Sequence, residues 1–331
     1  MVDGIYTLAN DVVCNQLVAL LNSIELHAPE LPVCVIAYDH QLKRVREAIA
    51  SRPNVTLLDD EALFSRWEDF SRDVWATHPT ALNIWQDRGI TDVYRLKSNH
   101  RYAVFDLDAP FDRFVYLDAD TLLLSSPKIF FDGLDQHEVV VYDFQHKDPS
   151  HIFNLASPQL ANIFSVEQIQ RSIFCAGCYA SRKGFFDVQT REDLVASLAS
   201  GEAEVLYMNA PNQSVLNYMV MRSPLEVYNL ALHLPASQST GNSVTSSHFE
   251  ERDHLIYDRG IRLTYLHYIG LDASLFNQLC RGLNVIFPYR DTFLDYRYRH
   301  EPQTRPRLTG KPINLPPSLL QRGLRKLGLR Q

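Results

Sequence analysis

The stretch Val115-Tyr116-Leu117-Asp118-Ala119-Asp120-Thr121-Leu122-Leu123-Leu124 sets two carboxylates one residue apart inside an apolar run. An ionised carboxylate is costly to take out of water and two close together repel, so such a pair persists where a cation or a shared proton compensates it. A divalent metal ion is the first candidate. Arg113 to Leu117 reads as a strand, which puts Asp118 and Asp120 just past its end.

Outward from this stretch, the N-terminal third alternates strand and helix signals. Gly4 to Asn10 (GIYTLAN) reads as a strand, Asp11 as an N-cap and Val12 to His27 as an amphipathic helix stopped by Pro29. Pro32 to Tyr38 is a continuous apolar run, as in a strand covered on both faces. Gln41 to Ser51 is helical again and Asn54 to Leu58 is a third strand. This β-α-β-α-β opening implies a doubly wound sheet with right-handed crossovers, in which ligands bind beyond the carboxyl ends of the strands. Glu61 to Phe105 reads as mostly helical, with Trp67, Trp75 and Trp85 spread along it. Downstream, Glu138 to Tyr142 and Ser172 to Ala180 read as strands, and Arg182 to Ser200 and Asn212 to Met221 as helices. His254 to Tyr257 and Ile261 to Tyr268 form an expected hairpin around Asp258-Arg259-Gly260.

Composition bounds the function. With 331 residues, 46% hydrophobic and 21% charged, the chain has the make-up of an ordinary α/β protein with a large core. It has no apolar run long enough to span a bilayer, and MVDGIYTLAND lacks the features of a signal peptide. Its five scattered cysteines, Cys14, Cys34, Cys175, Cys178 and Cys280, fit reduced thiols better than a disulfide framework. These features together predict a cytoplasmic protein. The net charge of −7 combines +7 in residues 302–331 with −14 in the rest. So acidic a body argues against nucleic-acid binding. The basic, leucine-bearing tail suits either solvent or peripheral contact with an anionic inner membrane face.

Three readings of the Asp-x-Asp stretch compete. Two solvated acids at a strand end is the bland one. A second is the Asp-x-Asp-x-Thr of haloacid-dehalogenase-like phosphohydrolases, matched by Asp118, Asp120 and Thr121, with Val104 to Asp108 a further near-match. That motif follows the first strand of its sheet, whereas here at least three strands precede it. The third is the metal-binding Asp-x-Asp of nucleotide-sugar glycosyltransferases.

Four more stretches favour the third reading. The N-terminal segment from Tyr6 to Asp39 resembles the opening of the glycogenin and lipopolysaccharide galactosyltransferase family. Ser172 to Ala180 resembles that family's strand ending in Asn-Ala-Gly, with Cys175 in place of Asn and Ala176 and Gly177 kept. Asn209 to Asn217 resembles its Asp-Gln-x-x-Leu-Asn helix start, with Asn212 in place of Asp. Leu266-His267-Tyr268-Ile269-Gly270 is similar to its late His-x-x-Gly strand. The order and rough spacing fit over most of residues 5–280.

The resemblance implies a GT-A (Rossmann-like) α/β fold: a single large domain over residues 1–300, with a mixed, mainly parallel sheet flanked by helices. Residues 1–125 would be the nucleotide-binding half, 126–300 the sugar and acceptor half, and 301–331 a basic tail. It further implies transfer of a hexose from a nucleotide sugar, most simply UDP-hexose, to a glycan, lipid-linked or small-molecule acceptor with retention of configuration. Asp118, Asp120 and His267 would hold Mn²⁺ or Mg²⁺, neutralising charge on the diphosphate. Leu8, Ala9, Asn10, Asp39 and Ala119 would lie along the nucleotide, and Ala176, Gly177, Asn209 and Gly270 along the rest of the donor. Asn212 and Gln213 would act at the sugar, with the Gln213 amide near the anomeric carbon. Lys97 and Arg101 are four apart on one helical face, a spacing unfavourable for like charges unless an anion lies between them, and Lys97 is the first choice for the donor.

Two departures stand out. The family's late Lys-Pro-Trp is missing, since the chain runs Leu271-Asp272-Ala273-Ser274-Leu275-Phe276, which leaves Arg281 or another cation as a substitute. The second is Asn212 itself. Both are also what a nucleotide-sugar-binding relative with weak turnover would carry.

Overall fold

A computed structural model describes residues 1–314. The strands are β1 (Asp3–Ala9), β2 (Val33–Ala37), β3 (Val55–Leu58), β4 (Arg113–Leu117), β5 (Thr121–Leu123), β6 (Val139–Val141), β7 (Cys178–Arg182) and β8 (Val227–Asn229), followed by β9 (Glu250–Arg252), β10 (Leu255–Asp258), β11 (Ile261–Arg262), β12 (Tyr265–His267), β13 (Leu283–Ile286) and β14 (Thr309–Asn314). Seven of them form the central sheet in the order β3-β2-β1-β4-β7-β6-β8. Only β7 runs against its neighbours, so the sheet is mixed and mainly parallel, as expected. Every residue of β2 is buried, which explains its unbroken apolar run.

The first helix, α1 (Cys14–His27), starts later than expected, and Asp11 does not cap it. The Asp11 carboxylate instead accepts the Val45 N–H in the first turn of α2 (Lys43–Ile49), while Asn10 accepts from Val12. Capping depends on which orphan N–H the fold brings near, and here it is the neighbouring helix's. Asp60 does cap α3 (Glu61–Ala76), accepting from Ala62 and Leu63.

Three further segments differ from expectation. Ser172 to Gly177 is not strand: a helix ends at Ser172 and β7 begins only at Cys178. The helix expected from Arg182 begins at Val188, capped by Asp187, after a turn through Gly184 at φ +86°. The hairpin's second arm divides, β11 pairing with β10 while β12 leaves to pair with β5. Beyond residue 301, β14 lies parallel to β13. The leucine-bearing part of the basic tail falls outside the described residues. No helix among the described residues is long and apolar enough to cross a membrane.

Trp67, Trp75 and Trp85 are all buried in the main core. A second core, built on Tyr268, Phe276, Phe287 and Phe293, packs the C-terminal helices around β5 and β12; Phe276 and Phe293 meet with ring centroids 4.8 Å apart.

The near-match at Asp106 is a structural ion pair, not a ligand site. The Asp106 carboxylate accepts Arg66 at 2.9 and 3.1 Å and the Trp67 indole N–H at 3.1 Å. Burial would raise its pKa, but these donors hold it below the ordinary carboxylate value. Stability from such a group is full above the unfolded pKa and is lost as pH falls through the depressed folded one. Asp106→Asn should therefore cost about 1–3 kcal/mol at neutral pH, and less in acid. Urea unfolding at pH 7 and at acid pH checks this, and an equal deficit at both would overturn it.

Candidate active site

Strand register assembles the site. β1 and β4 are parallel neighbours, so Ala9, Asn10 and Asp118 emerge along one edge of the sheet. Leu117 pairs with Cys178 and the Asp118 N–H bonds the Gly177 carbonyl at 2.9 Å, which fixes Cys175-Ala176-Gly177 beside the first aspartate. Thr121 pairs with His267, and the Tyr268 N–H bonds the Asp120 carbonyl at 2.9 Å, which brings the late histidine to the second. The helix Pro211–Arg222 then begins opposite, where the Gln213 Oε1 accepts the Ala176 N–H at 3.2 Å.

These elements line a cleft of about 270 Å³. Its walls carry Arg101, Asp118, Asp120, Cys175, Ala176, Gly177, Asn212, Gln213, His267 and Gly270. Asp118 and Asp120 are half-buried rather than sealed in, and ligand atoms of Asp118, Asp120 and His267 all lie within 4.8 Å of one another. Two hard carboxylate oxygens and an imidazole nitrogen form a donor set suited to Mn²⁺ or Mg²⁺. The surroundings fit the same reading. A Cβ at Gly177 would come 2.3 Å from the His267 ring, so only glycine leaves room for the imidazole.

Each acid also has a protein cation or donor. Tyr116 donates to Asp118 at 3.0 Å, and the Arg101 guanidinium reaches the same oxygen at 3.4 Å while lying 5.4 Å from the Tyr116 ring centroid. His267 Nε2 is 3.2 Å from Asp120. Burial by itself would lower the His267 pKa, but the Asp120 charge outweighs it and holds the pKa well above the usual imidazole value. On the other side of the ring, Nδ1 faces the Cys175 thiol at 4.0 Å.

The remaining expected residues fall in different places. Asn10 is buried and donates to Asp39 at 3.1 Å, with Leu8 and Ala9 buried before it at the end of β1. Ala119 is buried between the two aspartates. Gly270 lies at the cleft wall with φ +77°, a conformation that favours glycine. Lys97 is exposed and outside the cleft lining, whereas Arg101 is, among the described residues, the only lysine or arginine in it. Arg281 is exposed and does not line the cleft. Asn209 is also outside the lining, its side chain accepting from Arg88 at 3.4 Å.

Two participants escaped the sequence reading. Tyr116 was visible only as a strand residue, and its hydroxyl reaches Asp118 because both project from the same end of β4. Asp143 sits beneath the cleft, accepting the Cys175 and Gln145 N–H groups at 2.9 and 2.7 Å, and burial pushes its pKa up to about 6. Its position after the apolar run of β6 repeats the pattern of Asp118 after β4, a signal that could have marked it.

Comparison with solved structures decides the fold. The chain is similar to galactosyltransferase LgtC in complex with donor and acceptor sugar analogs, at TM-score 0.51 and 14% identity over 88% of this chain and 99% of that one. The chain has the GT-A fold. An active-site mutant of LgtC superposes equally well. The GT-A domain is also similar to the WbbM bifunctional glycosyltransferase, at TM-score 0.50 and 14% identity over 92% of this chain; it spans about half of that protein, 52%. No family model and no curated protein matches the sequence.

A metal ion taken up by this candidate triad would have to displace the proton that His267 shares with Asp120, so Mn²⁺ affinity should rise with pH and binding should release a proton. Calorimetry in buffers of different ionisation enthalpy would read both; affinity that stays flat between about pH 5.5 and 8 would contradict this. Gly177→Ala should displace the imidazole and weaken Mn²⁺ binding by about 10–100-fold without unfolding the chain, read by the same titration together with circular dichroism.

Proposed function

We propose that the chain is a divalent-metal-dependent glycosyltransferase that moves a hexose from a nucleotide sugar, UDP-hexose in the simplest case, to a glycan, lipid-linked or small-molecule acceptor with retention of configuration. The observation that carries this reading is a single cleft at the carboxyl end of a doubly wound sheet in which Asp118, Asp120 and His267 face the amides of Asn212 and Gln213. Solved neighbours that are glycosyltransferases, one of them holding donor and acceptor sugar analogs, support it.

Breaking the bond from a sugar to a diphosphate leaves negative charge on the leaving group. A divalent ion held by Asp118, Asp120 and His267 would offset that charge. Arg101 adds a fixed cation beside Asp118. Gln213 is held by the Ala176 N–H on its oxygen and by the His151 carbonyl, 3.0 Å away, on its nitrogen. Both partners have fixed polarity, so the orientation of this amide is set, and one N–H and one lone pair remain for a sugar. Asn217 braces the same wall, its amide bonding the N–H and carbonyl of Phe174 and the carbonyl of Gln213. Ala176 and Gly177 keep the wall shallow enough for a ring to approach. No side chain of the cleft is assigned as a nucleophile. Departure of the diphosphate with attack on the same face is the route this reading takes to retention.

The phosphohydrolase reading would need Asp118 free to attack phosphorus. Here Asp118 follows the fourth strand and is engaged by Tyr116 and Arg101.

Thermal unfolding with UDP, GDP, ADP or CDP, each with and without Mn²⁺, tests the proposal. A ligand at 100 times its dissociation constant adds about 2.7 kcal/mol to the native state. One nucleotide should stabilise the wild type only with metal, and should fail to stabilise an Asp118→Ala/Asp120→Ala variant. Equal stabilisation of both proteins, or none by any nucleotide, would sink the reading.

A further inference from the structure

The short segment Ser98–Tyr102 touches both halves of the site, and of its five residues Arg101 alone lines the cleft. Asn99 bonds Ser71, and His100 bonds the Ala37 carbonyl at the end of β2 at 2.8 Å, so the segment is anchored to α3 and the sheet. Arg101 reaches Asp118 from this platform, its Nε tied back to the Ser98 carbonyl at 3.1 Å. The remaining two side chains both go to Asn212. The Ser98 hydroxyl lies 3.0 Å from its side-chain oxygen, and the wholly buried Tyr102 donates to its backbone carbonyl at 2.8 Å. Ser98 has one proton, and the Arg95 carbonyl at 3.0 Å competes for it. That carbonyl can accept both, but it already has a donor in the Asn99 N–H, whereas Ser98 is the one donor to the Asn212 side-chain oxygen among the described residues. With its oxygen held, the Asn212 NH₂ group has no protein acceptor among the described residues and is left for a ligand in the cleft that Asn212 lines.

We propose that Tyr102 and Ser98 are positioning residues for the donor sugar, acting through Asn212. Neither lines the cleft, so neither is a contact for the ligand. Because Arg101 lies between them in sequence, one turn sets both the charge beside Asp118 and the amide at the sugar. The inference rests on the glycosyltransferase reading and adds to it the means by which the sugar-side amide is aimed.

The test compares binding of UDP with that of UDP-glucose and UDP-galactose, all with Mn²⁺, by calorimetry. Tyr102→Phe removes one hydroxyl. It should weaken the nucleotide sugars about ten-fold while UDP stays within about two-fold, and Ser98→Ala should act in the same direction. In an Asn212→Ala background, Tyr102→Phe should have no further effect on sugar binding. A variant that merely loosens the fold would lower the melting temperature and weaken UDP and UDP-sugars alike; that result, or an unchanged ratio, overturns the positioning role while leaving the wider reading intact. If the wild type binds none of the three, the glycosyltransferase reading falls first and this inference with it.

Discussion

The repulsion between Asp118 and Asp120 is the constraint around which this chain is arranged. Two carboxylates at the end of an apolar strand are tolerable only if positive charge reaches them, and no residue local to the stretch can supply it. The compensation comes from three directions. Tyr116 donates from within β4, Arg101 arrives from the turn before it, and His267 comes from a strand nearly 150 positions later. With His267 protonated, the guanidinium and the imidazolium balance the two acids. A divalent ion would take over the role of the imidazolium proton.

Sheet order explains why the cleft forms there. From β1 the chain builds outward through β2 and β3 on one side, then crosses to lay β4 on the other. The crevice at such a reversal, outside the carboxyl ends of the strands, is where doubly wound sheets bind ligands. The antiparallel β7 then brings Gly177 against Asp118, and the small β5-β12 ladder brings His267 against Asp120. A one-residue slip in that ladder would turn His267 to the other face and leave Asp120 unpaired. The aromatic core of Tyr268, Phe276 and Phe293 behind the ladder therefore serves the site as well as stability.

What could be read from the sequence was local. Strands β1 to β4 and helix α1 stand out because their apolar periods are set by burial on one or both faces, and the fold class follows from their alternation. The Asp-x-Asp stretch and His267 were visible as chemistry. Long-range geometry was not. Lys97 and Arg101 look equivalent as neighbours on a helix, yet the chain tightens to a 3₁₀ turn at His100 that presents Arg101 to the cleft and leaves Lys97 in solvent. Ser172 to Gly177 has strand composition but no ladder partner, because its backbone is held by side chains: Asn217 bonds Phe174, Asp143 bonds Cys175 and Gln213 bonds Ala176. Propensity alone cannot register such a substitute for a neighbouring strand.

The two departures from the family pattern make sense together. A carboxylate at 212 and a lysine after Gly270 would add one negative and one positive charge to the cleft. This chain has Asn212 and no such lysine, so both charges are absent and the balance set by Asp118, Asp120, Arg101 and His267 is unaltered. Loss of either one alone would leave the cleft with an uncompensated charge in a partly buried place, at a cost of several kcal/mol if fully desolvated. Among the described residues Arg101 is then the one lysine or arginine beside the Asp-x-Asp, and its position depends on the same turn that bonds Asn212.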